Sequence, residues 1–291
     1  MTITSGGLLR YFLISIPPRY HTEIPTPAVL SYHRGTTTAE SQLVLDQLTN
    51  TELNTEFIVI YPSILTTHAN TEGQNIWQGD PSDTINDVQF TADMLNHVQS
   101  QYCIDPTRIF ATGKSDGAGF CNVLACDRTL STRIAAFAPV SGAYYIDTLP
   151  CSPSDVPIPC NPGRRDIPLL AYHGGNDTTI SYPGSDRKQE CLASIPHFIQ
   201  QWAMRDGLGL KDVTTPIAPN TVSHKFGSGA KLGLVEHICD AVIGHDWPSP
   251  EPNSDNQSPG RYVASFNATP IILWFFKQHP LSIWDILHEI L

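Results

Sequence analysis

The chain has 291 residues, 24 prolines and only 15% charged residues, against roughly 25% in an average protein. That composition excludes a coiled coil, a long-helix bundle and a charged disordered tail. Its 17 basic and 28 acidic residues give a net charge of −11, so with no Lys/Arg cluster it is a poor partner for nucleic acid or an anionic membrane.

In chain order, apolar runs alternate with helical patterns. Leu8–Ile16 reads as a strand despite Arg10, and Ala28–Tyr32 as a second. Ala39–Leu48 reads as a helix and Phe57–Tyr61 as a buried strand; Pro62–Ser82 is polar and loop-like. Ile85, Val88, Ala92, Leu95, Val98 and Tyr102 recur at three- and four-residue steps, which predicts a helix over 84–102 with Asp83 or Ser82 placed to cap it. Arg108–Thr112 reads as a short strand, Gly117–Leu130 as a helix and Ile134–Val140 as a strand. Tyr144–Asp166 holds five prolines and two cysteines and reads as a crosslinked loop. Ile167–Tyr172 and Leu234–Ile238 read as strands, Cys191–Arg205 and Thr269–Lys277 as helices. Short apolar strands separated by helices argue for parallel βαβ units. The expectation is one α/β domain over 1–291, with a mostly parallel sheet flanked by helices and long rim loops.

Gly113-Lys114-Ser115-Asp116-Gly117 matches G-x-S-x-G between a predicted strand and a predicted helix. Such a turn lifts the serine hydroxyl clear of the sheet in a strained conformation. A serine nucleophile needs a base, and the base needs an acid to hold it. Asp177 follows the Ile167–Tyr172 strand, and His245 sits in a loop after the Leu234–Ile238 strand, giving the order Ser115, Asp177, His245. Asp246 rivals Asp177 as the acid, although adjacent residues rarely face each other usefully. Of eleven histidines, His173 fits a strand end better than a base role, and His197 lies on a predicted helix. An oxyanion hole takes two backbone N–H groups. Asp116 is expected to supply one, and the His33–Thr36 loop the other, from Gly35 or its neighbour Thr36.

Seven cysteines occur with no CxxC pair. A zinc site is therefore not expected, and up to three disulfides with one spare thiol are. The N-terminus has no basic n-region and does not read as a signal peptide. No run approaches the ~20 apolar residues of a membrane span. N-x-[ST] sequons stand at Asn176, Asn256 and Asn267. Neither a P-loop nor a dinucleotide fingerprint is present, so no cofactor is expected.

Several segments together resemble the fungal feruloyl esterases of the carbohydrate-esterase family related to polyhydroxybutyrate depolymerases. They are Tyr32-His33, Trp77-Gln78-Gly79, Asn86-Asp87-Val88, 102–106, 113–121, His173-Gly174-Gly175-Asn176-Asp177 and Gly244-His245-Asp246-Trp247-Pro248. They run in the family's order over nearly the whole chain. The resemblance implies an α/β-hydrolase fold, a secreted, disulfide-bonded serine esterase, and Ser115, Asp177 and His245 as its triad. It departs at Arg34, where the family shows glycine. The expected reaction is release of ferulate or a related hydroxycinnamate from plant cell-wall polysaccharide (arabinoxylan or pectin), or from a small aromatic ester, by a monomer. An aromatic acyl group calls for an apolar slot, with Trp77, Tyr144, Tyr145 and Trp247 as candidates. Acetyl xylan or polyhydroxyalkanoate esters are the alternative substrates, and a non-catalytic carbohydrate-binding member of the fold is a remote one.

Overall fold

The computed structural model describes residues 1–65, 76–257 and 261–282. The chain runs β1 (Thr2–Ser5), β2 (Leu8–Ser15), β3 (Thr26–Tyr32), α1 (Ala39–Asp46), β4 (Ile58–Pro62), α2 (Asp87–Gln101), β5 (Ile104–Lys114) and α3 (Asp116–Cys126). It continues through α4 (Leu130–Arg133), β6 (Ala136–Val140), β7 (Tyr145–Ile146), β8 (Leu169–Gly174), β9 (Ser185–Arg187), β10 (Glu190–Leu192) and α5 (Ile195–Arg205). Last come β11 (Asp212–Ala218), β12 (Thr221–Phe226), β13 (Val235–Asp240) and α6 (Ala268–Gln278).

Ten strands form one sheet in the order β1-β2-β4-β3-β5-β6-β8-β13-β12-β11. The six from β4 to β13 are mutually parallel, and antiparallel pairs close both edges. The central strands are buried on both faces because helices cover both. Alternation along β3 shows the division: Ala28, Leu30 and Tyr32 join one core with residues of α2, α3 and α5. Val29 joins the opposite core with residues of α1 and α6. Arg10, the charge inside the first predicted strand, is buried and paired with the carboxylate of Asp87 at the start of α2.

Three expectations shift. The helix predicted over 84–102 starts at Asp87, with the Asn86 side chain accepting the Gln89 N–H as its cap. Residues 191–205 are not all helical: Cys191 and Leu192 finish β10, and Ser194 caps α5, which has Pro196 in its first turn. The β11–β12 hairpin went unpredicted because β11 is exposed along most of its length and carries little apolar alternation. Part of the predicted Pro62–Ser82 loop lies outside the described residues.

The cysteines also depart from expectation. Two disulfides form, Cys126–Cys160 and Cys151–Cys191, and Cys103, Cys121 and Cys239 remain thiols. Cys121 cannot pair because it faces the packed core beneath α3. No helix among the described residues is long and apolar enough to cross a membrane.

Candidate active site

In a parallel sheet the loops leaving the carboxyl ends of the strands gather on one rim. Four such loops meet here. Ser115 follows β5, Asp177 follows β8, His245 follows β13, and the His33–Thr37 loop follows β3.

Ser115 has φ 57° and ψ −117°, a strained left-handed position for a residue with a side chain. Its surroundings enforce the turn. The Ser115 N–H donates to Val140 O at 3.0 Å, and its carbonyl accepts from Gly119 and Ala143. A Cβ on Gly117 would lie 2.4 Å from Tyr32 O and 2.5 Å from His33 O. Only a glycine lets α3 start this close to β3, so the second motif glycine is a packing requirement.

The acid and the histidine meet. His245 Nδ1 lies 2.7 Å from Asp177 Oδ2. The carboxylate is an acceptor, so Nδ1 carries the proton and Nε2 is left as the basic atom. The other Asp177 oxygen accepts the N–H groups of Thr179 and Ile180, each at 2.8 Å. Burial raises the Asp177 carboxyl, but hydrogen bonds from His173 and His245 outweigh it and hold it far below the usual carboxylate range. His245 is pushed down to about 4, first by burial and then by the ammonium of Lys114, against the pull of Asp177. The imidazole is therefore neutral at physiological pH, as a general base must be.

Asp246 is turned away from the histidine. Its Oδ2 accepts the Gly244 N–H at 3.0 Å and so folds back on its own loop. His173 holds the acid: its Nε2 lies 3.1 Å from Asp177 Oδ2 and 2.8 Å from Ile180 O. Both neighbours are acceptors, so that nitrogen is a donor. Sequence reasoning left His173 at a strand end; its i, i+4 spacing to Asp177 was the available signal.

The motif's Lys114 is fully buried, and its Nζ donates to His245 O at 3.0 Å. It also stands 3.5 Å from Asp255 Oδ2. Asp255 accepts from Arg34 at 2.7 Å and from the Trp247 N–H at 2.8 Å. One buried carboxylate thus ties the nucleophile strand, the histidine loop and the β3 loop together. The unexpected Arg34 belongs to this tie.

A cleft of about 450 Å³ opens here, lined by Ser115, His245, Asp116, Gly35, Thr36 and Tyr145 among others. Asp116 begins α3, where the first N–H groups have no intrahelical acceptor. His33 is buried, and its Nδ1 donates to Arg34 O at 2.7 Å, which braces the β3 loop.

Three of the four aromatic candidates do not line the cleft. Trp77 is buried, donates to His33 O at 2.7 Å and stacks on Phe120. Tyr144 stacks on Phe198 in the core, and Trp247 is buried with its Nε1 donating to Thr269. Large rings next to motif residues stabilise most by burial, and these three are buried; Tyr145 alone reaches the cleft. Of the sequons, Asn176 is exposed, Asn267 caps α6, and Asn256 is buried with its amide donating to Ser249 O and Glu251 O.

No protein-family model matches the chain. It is 26% identical over 235 residues to feruloyl esterase B of Piromyces equi, covering 77% of this chain and 41% of that protein. It is 32% identical over 98 residues to a probable feruloyl esterase C of Aspergillus niger, covering 34% of this chain and 31% of that protein. The chain thus spans less than half the length of these relatives. Among solved structures, the acetyl xylan esterase from Aspergillus awamori superposes with a TM-score of 0.59 at 21% identity, covering 86% of this chain and 94% of that one. The chain has the α/β-hydrolase fold and is similar in sequence, over part of their length, to the fungal feruloyl esterases.

Proposed function

We propose that the chain is a serine carboxylic-ester hydrolase that releases ferulate or a related hydroxycinnamate from plant cell-wall polysaccharide. The observation that carries this reading is the 2.7 Å Asp177–His245 hydrogen bond in the cleft that Ser115 also lines. Ser115 is the nucleophile, His245 the base and Asp177 the group that holds the imidazole and stabilises its charge. His245 takes the Ser115 proton as Oγ attacks the ester carbonyl. The tetrahedral oxyanion is met by the N–H of Asp116 and by an N–H of the Gly35–Thr36 turn. Collapse expels the sugar alkoxide, which takes the proton from His245. Water, activated by the same base, then frees the acid from Ser115.

A second reading rests on the lining. With Trp77, Tyr144 and Trp247 in the core, Tyr145 is the one ring of the four candidates left for an aromatic acyl group. A short acyl chain, acetyl on xylan, suits such a cleft, and a relative of the same fold is named for that substrate. Secretion is proposed from the relatives and the two disulfides, and a monomeric state is proposed with it. The deciding measurement is kcat/KM on matched feruloyl and acetyl esters of one sugar. Faster ferulate release supports the first reading, faster acetate release the second. Hydrolysis of neither sinks the esterase assignment.

A further inference from the structure

Around the cleft the cations face solvent and the carboxylates that pair with them lie behind. The side chains of Arg34, Lys188 and Arg261 are 36%, 28% and 31% exposed, while their partners Asp255, Asp80 and Asp246 are 0%, 1% and 2% exposed. The chain as a whole carries −11, so this outward-facing positive wall is a local feature. Arg187, which lines the same cleft, is a fourth cation and forms no ion pair with a carboxylate among the described residues. Its Nε donates to Tyr145 Oη at 3.1 Å, and its two terminal nitrogens make no hydrogen bond among the described residues. Three acids stand in the neighbourhood: Asp116 in the cleft lining, Asp80 behind Lys188, and Glu190 opposite Arg187 in the hairpin register. Burial and Asp80 raise the Asp116 carboxyl to about 6, and Lys188 and Arg187 oppose the rise.

The support for Arg187 is rigid. β9 and β10 form a hairpin whose turn residues Lys188 and Gln189 have φ 52° and 62°, the two left-handed positions that a tight hairpin takes. β10 pairs in turn with β7, which carries Tyr145, and Cys151–Cys191 anchors it covalently. A part-buried guanidinium held at its Nε, with two terminal nitrogens that bond nothing among the described residues, matches the geometry of a carboxylate.

We propose that Arg187 forms an anion subsite beside Ser115 and that the enzyme takes esters bearing a carboxylate, as on the uronate units of an acidic polysaccharide. This rests on the esterase reading for its substrate but not for its binding. The test uses Ser115→Ala, which binds without turnover, and trigalacturonate against its fully amidated, neutral form. Calorimetry is expected to show about tenfold tighter binding of the acidic trimer, an advantage that shrinks from 50 mM to 500 mM NaCl because a charge contact is screened. Arg187→Gln in the same background is expected to remove most of the difference, and Arg187→Lys to restore part of it. Equal binding of the two trimers, or a preference that survives Arg187→Gln, overturns the proposal.

A second arm separates the sources of the carboxylate. Wild type is compared on nitrophenyl hemisuccinate and nitrophenyl butyrate. A preference for the hemisuccinate that Arg187→Gln abolishes, with no preference between the trimers, overturns the uronate assignment. If no ester is hydrolysed yet the acidic trimer binds through Arg187, the subsite stands and the esterase reading falls.

Discussion

Lys114 Nζ lies 3.0 Å from the carbonyl oxygen of His245. The residue before Ser115 therefore holds the loop that carries His245, across 131 positions of sequence. Burial lowers the proton affinity of the imidazole most, and the same ammonium adds to it, so one buried cation both places His245 and further depresses its affinity for a proton.

This sets the pH dependence. As the proposed base, His245 acts when neutral, and burial together with Lys114 pushes it down from its ordinary 6.5 to about 4. Activity is expected to persist down to about pH 4 and to fall as the pH drops through that value. In Lys114→Met the ammonium is gone and the acid limb of kcat/KM should move up toward 6.5. Because that change leaves Asp255 buried without its lysine, the double variant Lys114→Met/Asp255→Asn is measured beside it. An acid limb that stays at 4 in both contradicts the electrostatic role of Lys114.

The triad itself makes the sharpest test. Ser115→Ala is expected to lower kcat by up to about a millionfold and Asp177→Asn by about ten-thousandfold, by analogy with other serine hydrolases. Substrate binding and the circular dichroism spectrum should stay near wild type. His173→Phe is expected to lower kcat more modestly with KM unchanged, since it removes one donor to Asp177 Oδ2. Steady-state kinetics on one soluble ester reads all three.

Gly117→Ala places a methyl 2.4 Å from a backbone oxygen of Tyr32. Backbone cannot step aside as a flexible side chain can, so a loss of about 1–3 kcal/mol is expected. It is read as a lower midpoint in urea. Activity should fall with it, because the same shift moves the Asp116 amide.

Reduction of Cys151–Cys191 opens a loop spanning 40 positions. The double variant Cys151→Ser/Cys191→Ser should lose about 2–4 kcal/mol. Proteolysis is expected to cut first within 145–192, where the crosslinked loop and the hairpin lose their anchor. An unchanged cleavage pattern argues against that role.

Asp46 is fully buried and faces Ser31, Gln42 and Tyr61 with no cation among its hydrogen-bond partners. Burial raises its carboxyl to about 7, against the pull of those donors. A raised folded-state value means that its contribution is complete below about pH 4 and is lost as the pH climbs through 7. The thermal midpoint should fall over that window, and Asp46→Asn should flatten the decline.

The serine, its elbow and the order of strands and helices around it were legible in sequence because they depend on local chemistry. Glycines at two-residue offsets, apolar runs and helical spacing are properties of neighbours along the chain. The same holds for the acid just past a strand end and the histidine in a glycine-led loop. Trp77, Tyr144 and Trp247 misled, because nearness to a motif says nothing about which way a ring turns, and burial drew all three into the core. The cysteine pairing, the Lys114–Asp255–Arg34 tie, the second histidine on Asp177 and the Arg187–Tyr145 contact arise between residues 4 to 221 positions apart. Only the assembled sheet, which brings four strand ends to one rim, decides those contacts.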